Sequence, residues 1–195
     1  DGLQHWLQFF EQPTSFLQAV ENEAGEIVPE ALREFLLFMQ GQAATVTTRD
    51  IWDQPFPVYT DLVDRKLVFT KGEQLAFTNV IETLLELGYS HGDDLYLQPG
   101  EYRRNGDVFD IFPIQSNHPF RISLAFDAVE SILAVDVDDL SQTENFGDTL
   151  EVYPVTYEKM MPLHDQLDGD TLLVLDDQDD IEPKQSVPTL SLIHI

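Results

Sequence analysis

Three apolar runs divided by short polar breaks constrain this chain more than anything else in it. They cover 108–112, 120–126 and 129–137, with a polar loop at 115–118 between the first two. Each is rich in Phe, Ile, Leu and Val and is bounded by Gly, Pro, Asn or Asp. Runs of this length with such borders predict a three-strand antiparallel meander.

The residues around the runs are specific as well. Gly100-Glu101-Tyr102 leads into the turn Asn105-Gly106-Asp107. Asp110-Ile111-Phe112-Pro113 ends the first run, Pro119-Phe120-Arg121-Ile122 opens the second, and Asp127-Ala128-Val129-Glu130-Ser131-Ile132 opens the third. In this order they resemble the UvrB-like interaction module, a family shared by the excision-repair helicase UvrB and the transcription-repair coupling factor. That family writes a Gly-Glu-aromatic turn, an Arg-Gly-Asp-like turn, a strand ending Asp-Ile-Phe-Pro, a Pro-x-Arg-Ile strand and an Asp-x-x-Glu-Ser-Ile strand. The resemblance covers roughly 28–180 and implies docking onto UvrA, the damage-sensing ATPase of nucleotide excision repair.

Composition sets the outer limits. A chain of 195 residues holds one large or two small domains, and 43% apolar content supplies a core. No run of 18 apolar residues suggests a membrane span. The absence of Cys excludes disulfides and thiolate metal sites and fits a cytoplasmic protein. Ten basic against 36 acidic residues give a net charge of −26. Nucleic-acid affinity comes largely from Lys and Arg at phosphates, so this segment reads as a poor direct DNA binder. The acidity itself has three readings: a salt-adapted or generally acidic proteome, an acidic regulatory surface, or a stand-alone DNA mimic. The last needs no Asp-Ile-Phe-Pro signature.

The ends predict a fragment of a longer gene product. The chain starts at Asp1 without an initiator Met. The closing LSLIHI, 190–195, resembles the translation of a sequencing adapter and is set aside from fold reasoning. A genuine apolar terminal strand is the other reading of those six residues.

The predicted fold class is α/β in two parts. One is a truncated nucleotide-hydrolase-like α/β domain without a phosphate loop, spanning 1–61 and returning at 151–189. The other is an inserted α+β module with a twisted antiparallel sheet, 62–150. In the first part, Pro29 opens a helix whose stripe is Leu32, Phe35, Leu36 and Met39, and Gly41 closes it. A strand follows at 43–47, then a proline-containing link at 53–57. In the module, a strand is expected at 66–70. Phe77, Val80, Ile81, Leu84 and Leu85 predict an amphipathic helix stopped by Gly88, and a strand is expected near 95–97. The return holds strands at 150–154 and 171–175, a helix over 157–167 and an acidic exit at 178–186.

Several motifs lack the context that their chemistry requires. Gly88-Tyr89-Ser90-His91-Gly92 matches G-x-S-x-G, but a helix precedes it and a strand follows, the reverse of a nucleophile elbow. The run 172–177 resembles the strand and carboxylates that hold Mg²⁺ in nucleotide hydrolases, yet no G-x-x-x-x-G-K-[ST] loop accompanies it. The five His residues lack metal-ligand spacing, and the Asp clusters at 136–139 and 176–180 lack a calcium loop's Gly and closing Glu. No catalytic residue and no metal ligand is assigned.

The candidate partner-binding residues are His91, Arg103, Arg104, Asn105 and Asp107. Arg103-Arg104 reads as a cationic anchor for an acidic groove, because the planar guanidinium pairs bidentately with carboxylates. A solvated pair of strand residues is the plainer alternative. The resemblance puts a cation where Asn105 stands and another where Leu133 stands, and an Arg or His near His91. Asp110 lies inside an apolar run and needs a partner, which Arg121 on the next strand supplies as a structural pair. Phe109, Phe112, Phe120 and Phe126 read as core or sheet-packing residues, with one of them available to a partner.

The resemblance implies the N-terminal part of a coupling factor, an ATP-driven DNA translocase that displaces stalled RNA polymerase and recruits UvrA. No cofactor belongs to this fragment; ATP and Mg²⁺ belong to the full-length protein. RNA polymerase and double-stranded DNA are partners only of other parts. UvrB and a stand-alone acidic interaction protein are the alternatives.

Overall fold

The computed structural model describes residues 14–18, 21–23, 25, 27–41, 44–94, 96–137, 143–167, 171–176 and 189–194. His5, Leu95, Asp138, Asp139, Asp177 and the acidic exit at 178–186 lie outside the described residues. The chain forms two compact units, 1–59 with 158–195, and 60–157.

The first unit is α/β. Pro29 is pre-set for the first turn of helix α1 (Pro29–Met39), because its fixed φ suits a helix start and its missing N–H would be unpaired there anyway. The helix buries Ala31, Leu32, Phe35, Leu36 and Phe38. Gly41, at φ +67°, donates its N–H to the Phe38 carbonyl at 2.9 Å and ends it. Strand β1 (Thr14–Phe16) runs parallel to β2 (Ala44–Thr48), and the short helix α2 (Arg49–Trp52) follows.

Two sequence expectations change in this unit. Part of the proline-containing link is strand β3 (Pro55–Pro57), whose partner is antiparallel β12 (Met160–Pro162). In a two-stranded ribbon both strands are edges, so a missing proline N–H need not cost a ladder bond. The helix expected over 157–167 is replaced by β12 and a 3₁₀ turn, Leu163–Gln166. Pro162 explains this: its ring and missing N–H oppose a helix interior and push the preceding residue toward extended backbone. The Gln166 side chain then ties the corner, accepting from the Tyr59 N–H at 2.8 Å and donating to the Met161 carbonyl at 3.1 Å. Strands β13 (Thr171–Asp176) and β14 (Thr189–His194) complete a mixed sheet in the order β1-β2-β14-β13. The closing segment 190–194 is therefore part of β14, antiparallel to both neighbours.

The second unit is α+β. Helix α3 (Tyr59–Arg65) leads into it, followed by β4 (Leu67–Thr70) and helix α4 (Phe77–Glu86). Then come β5 (Ser90–His91), β6 (Glu101–Asn105), β7 (Val108–Phe112), β8 (Phe120–Ala125), β9 (Ala128–Val135), β10 (Thr143–Asn145) and β11 (Thr149–Val152). Six of these form one sheet in the order β10-β9-β8-β7-β6-β5, antiparallel except for the β5–β6 pair. The expected three-strand meander is its centre. Residues 96–97 are not in a strand.

One face of this sheet carries the core. Phe109, Ile111, Phe120, Ile122, Leu124, Val129 and Ile132 cluster with Val80, Leu84 and Leu87 of the α4 segment and with Phe69, Leu150 and Val152 of the β4–β11 pair. Leu85, expected on the α4 stripe, is 56% exposed, and Leu87 at the helix end takes the buried place. The sequence pattern places 151–189 in the returning domain, but β11 pairs with β4 and keeps residues through Tyr157 in the second unit.

Candidate partner-binding site

Strand alternation decides which candidate residues can act together. Arg103, Asp110, Arg121 and Leu133 are in register on β6, β7, β8 and β9, so they form one row on the face away from the core. Arg121 forks onto Asp110, with Nε to Oδ1 at 2.7 Å and Nη2 to Oδ2 at 3.0 Å. Arg103 approaches the same Oδ2 at 3.5 Å, and its Nη1 donates to the Asp94 carbonyl at 2.9 Å. One carboxylate thus sits between two guanidiniums, leaving this row a net cation on a very acidic chain. The hydrogen bond to Asp110 raises the Arg121 pKa above its ordinary value, against a smaller opposing effect of burial. Asp110 keeps 15% side-chain exposure, while Arg103 and Arg121 keep 29% and 32%. The forks are therefore held in place yet still reach solvent.

Arg104 is not part of this row. It stands opposite Phe109, whose ring is in the core, and its Nε donates to the Gly106 carbonyl at 3.0 Å. Neighbouring residues of a strand point to opposite faces, so Arg103 and Arg104 do not form a two-pronged anchor. His91 is in register with Tyr102 rather than Arg103, and its ring meets the Tyr102 ring edge-on at 5.8 Å. Its Nδ1 lies 3.1 Å from Asp93 Oδ1. Asn105 does share the Arg103 face, two positions along β6, and Asp107 lies in the adjoining turn.

Two tight turns meet at this end of the sheet. Gly106-Asp107 joins β6 to β7, with Gly106 at φ +61° as type II′ hairpins require. Phe126-Asp127 joins β8 to β9, with φ +51° and +61°. Phe109, Phe112 and Phe120 are buried, but Phe126 is 99% exposed. Sequence pattern missed this because Phe126 continues an apolar run; the one available signal was the following Asp, a turn residue.

The family model of the UvrB interaction domain matches residues 67–157. That segment is a UvrB interaction domain. The match begins at the first residue of β4 and ends with the second unit, so it contains every candidate residue named above. The chain is similar to UvrABC system protein B of Thermus thermophilus, 34% identical over 99 residues, which is 51% of this chain and 12% of that protein. It is similar to the transcription-repair-coupling factor of Escherichia coli, 35% identical over 72 residues, 37% of this chain and 6% of that protein. UvrABC system protein B of Coxiella burnetii is 32% identical over 107 residues, 52% of this chain and 16% of that protein. The chain thus spans no more than about a sixth of the length of these relatives.

Polar groups inside the UvrB interaction domain lock the sheet to its flanking segments. The Tyr89 hydroxyl donates to the Tyr153 carbonyl at 3.0 Å and accepts from the Ile114 N–H at 3.2 Å, joining three segments at one buried oxygen. Nearby, Glu151 accepts from Lys66 at 2.5 Å and from the Tyr153 hydroxyl at 3.0 Å. The Lys66 ammonium is the main reason its carboxyl lies below the usual range. Among the described residues, no group of three or more His, Cys, Asp or Glu is placed to hold a metal ion. None of their helices is long and apolar enough to cross a membrane.

Proposed function

We propose that this chain recruits a UvrA-type partner in nucleotide excision repair, using the outer face and turn end of its UvrB interaction domain. The observation that carries the reading is the Arg103–Asp110–Arg121 row: two oriented guanidiniums on one exposed sheet face of a chain with only ten basic residues. Such a row suits carboxylates on a protein rather than phosphates on DNA, because the net charge of −26 repels a polyanion.

The chain is the N-terminal region of a transcription-repair coupling factor in this reading. Thr47-Thr48 and the link at 53–57 before the module, and 172–177 after it, support that choice. The longer protein would be a cytoplasmic, ATP- and Mg²⁺-dependent DNA translocase, contacting RNA polymerase and double-stranded DNA through other parts. UvrB is the second reading. The larger share of this chain matched by UvrABC system protein B, 51% against 37%, favours it.

Titration of the full chain with UvrA from the same source tests recruitment. The expected result is binding that weakens as salt rises, with Arg103→Ala costing about tenfold and Arg104→Ala less than about threefold. A folded chain that does not bind UvrA at either of two salt concentrations overturns the proposal.

A further inference from the structure

The six-stranded sheet ends at β10, with no strand beyond it among the described residues. The Val135 N–H donates to the Pro119 carbonyl at 2.9 Å, and the Phe146 N–H to the Ile132 carbonyl at 3.1 Å. Backbone groups of successive strand residues point alternately to the two sides. Glu144 therefore bonds toward β9, while Thr143 and Asn145 turn their N–H and C=O groups outward. An edge with open backbone groups is a template for another strand, and Thr143-Glu144-Asn145 contains neither the Lys nor the Pro that often blunts one. Three residues offer few backbone bonds, so side chains must supply the selectivity.

Those side chains form a pattern. Phe120, Ala134 and Glu144 make one row across β8, β9 and β10 on the core face. The Ala134 methyl, set between a phenyl ring and a longer carboxylate side chain, leaves a dip. A groove of about 700 Å³ lies there, walled by His118 and Asp136 as well as Ala134 and Glu144, with no Lys or Arg in its described lining. Phe146 shares the Glu144 face two positions along. It is 48% exposed, and its ring meets Phe120 edge-on at 4.6 Å. The edge thus presents a carboxylate and then an aromatic ring on one face. Arg121 is two strands in, on the opposite face and forked onto Asp110. The Lys71 backbone meets the chain at Asp148, past Phe146.

We propose that β10 receives an extended segment of a protein partner, added as a further strand and carrying a cationic and an apolar side chain two positions apart. The cation lies against Glu144 at the groove, the apolar side chain lies against Phe146, and the segment's backbone bonds to Thr143 and Asn145. A second copy of this chain is a poor occupant. Antiparallel pairing centred on β10 sets Glu144 against Glu144, in two chains of net charge −26 each. The same charge disfavours nucleic acid. This site is independent of recruitment through Arg103 and Arg121, which lie on the opposite face of the sheet.

The test uses the full chain and a labelled peptide, Thr-Leu-Thr-Lys-Thr-Leu-Thr, with both termini capped. It reads the same in either direction, so it suits parallel or antiparallel addition. Fluorescence anisotropy should show saturable binding, weakened at least about threefold by Glu144→Lys and at least about tenfold by Asn145→Pro. Proline at that position removes an outward N–H and no bond to β9, so the thermal midpoint should stay near that of the parent. A peptide with proline on both sides of its Lys should not bind, because it cannot complete the ladder. Equal binding of the proline peptide shows attraction by charge alone and overturns strand addition. Absence of saturable binding by the parent chain overturns the proposal outright. Hydrogen exchange gives a readout that needs no variant. The Thr143 and Asn145 amides should slow at saturating peptide, and unchanged exchange at both overturns the site. Sedimentation without peptide adds a last outcome: self-association lost in Asn145→Pro makes a second copy the occupant and overturns the cationic segment.

Discussion

Asp110 and Arg121 face each other in register on adjacent strands, and their side chains meet at two points, 2.7 and 3.0 Å. Arg103 touches the same carboxylate at one oxygen only, 3.5 Å away. The three groups are not equivalent, because Arg121 supplies the geometry that makes a charge inside an apolar strand tolerable.

Arg121→Ala should therefore destabilise the second unit by about 1–2 kcal/mol, a value kept low because the pair is partly exposed. Arg103→Ala should cost less than half as much. Urea unfolding of the two variants, completed as a cycle with Asp110→Ala, measures both. Equal losses from Arg103 and Arg121 would show that the fork has no special part.

Gly88 closes α4 in a Schellman arrangement. Its N–H donates to the Leu85 carbonyl at 3.0 Å, and the Tyr89 N–H donates to the Leu84 carbonyl at 2.9 Å. The backbone there has φ +87°, and a Cβ on Gly88 would run into the Thr156 side chain. Gly88→Ala should cost about 2 kcal/mol or more, from the left-handed conformation plus the collision. Adding Thr156→Ala should recover part of that loss, since it relieves the collision and not the φ. Thermal midpoints of the three variants report the split.

Tyr89 holds two buried backbone groups with one hydroxyl. Tyr89→Phe leaves the Ile114 N–H and the Tyr153 carbonyl without that partner, at a cost of about 1–3 kcal/mol. Burial also pushes the phenol's pKa well above its ordinary value of 10.0. In the unfolded chain Tyr89 ionises near that ordinary value, while in the fold it keeps its proton. The folded state then binds more protons, so stability falls as pH rises from about 10 toward the raised folded value and is unaffected below. Unfolding midpoints at pH 9 and pH 11 should diverge more for the parent chain than for Tyr89→Phe. Identical alkaline slopes would show that Tyr89 does not govern this limb.

Much of the second unit was legible in the sequence because its signals are local. The runs at 108–112, 120–126 and 129–137 carry period-two alternation and turn residues, and these specify hairpins. Asp110 inside an apolar run demands a partner, and the register supplies Arg121. Gly88 follows a helical stripe closely enough to mark its cap. The losses came where a local pattern was ambiguous. The span 157–167 has apolar residues at helical spacing, but Pro162 favours an extended corner. The strand Thr149–Val152 looked like the start of another domain, yet it pairs with β4, about eighty residues earlier.

Local sequence specifies the meander, its turns and the residues able to carry charge, since each depends on neighbours a few positions away. Long-range packing settles which of those residues share a face and which meet solvent. Arg103 and Arg104 are adjacent in the chain, but β6–β7 pairing and the core beneath Phe109 send them to opposite sides. Phe126 belongs to an apolar run, but the hydrogen bonds from 72–75 hold its turn beyond the end of the core. Exposure is a property of the whole packed unit, fixed by contacts between residues distant in sequence, and no local pattern encodes it.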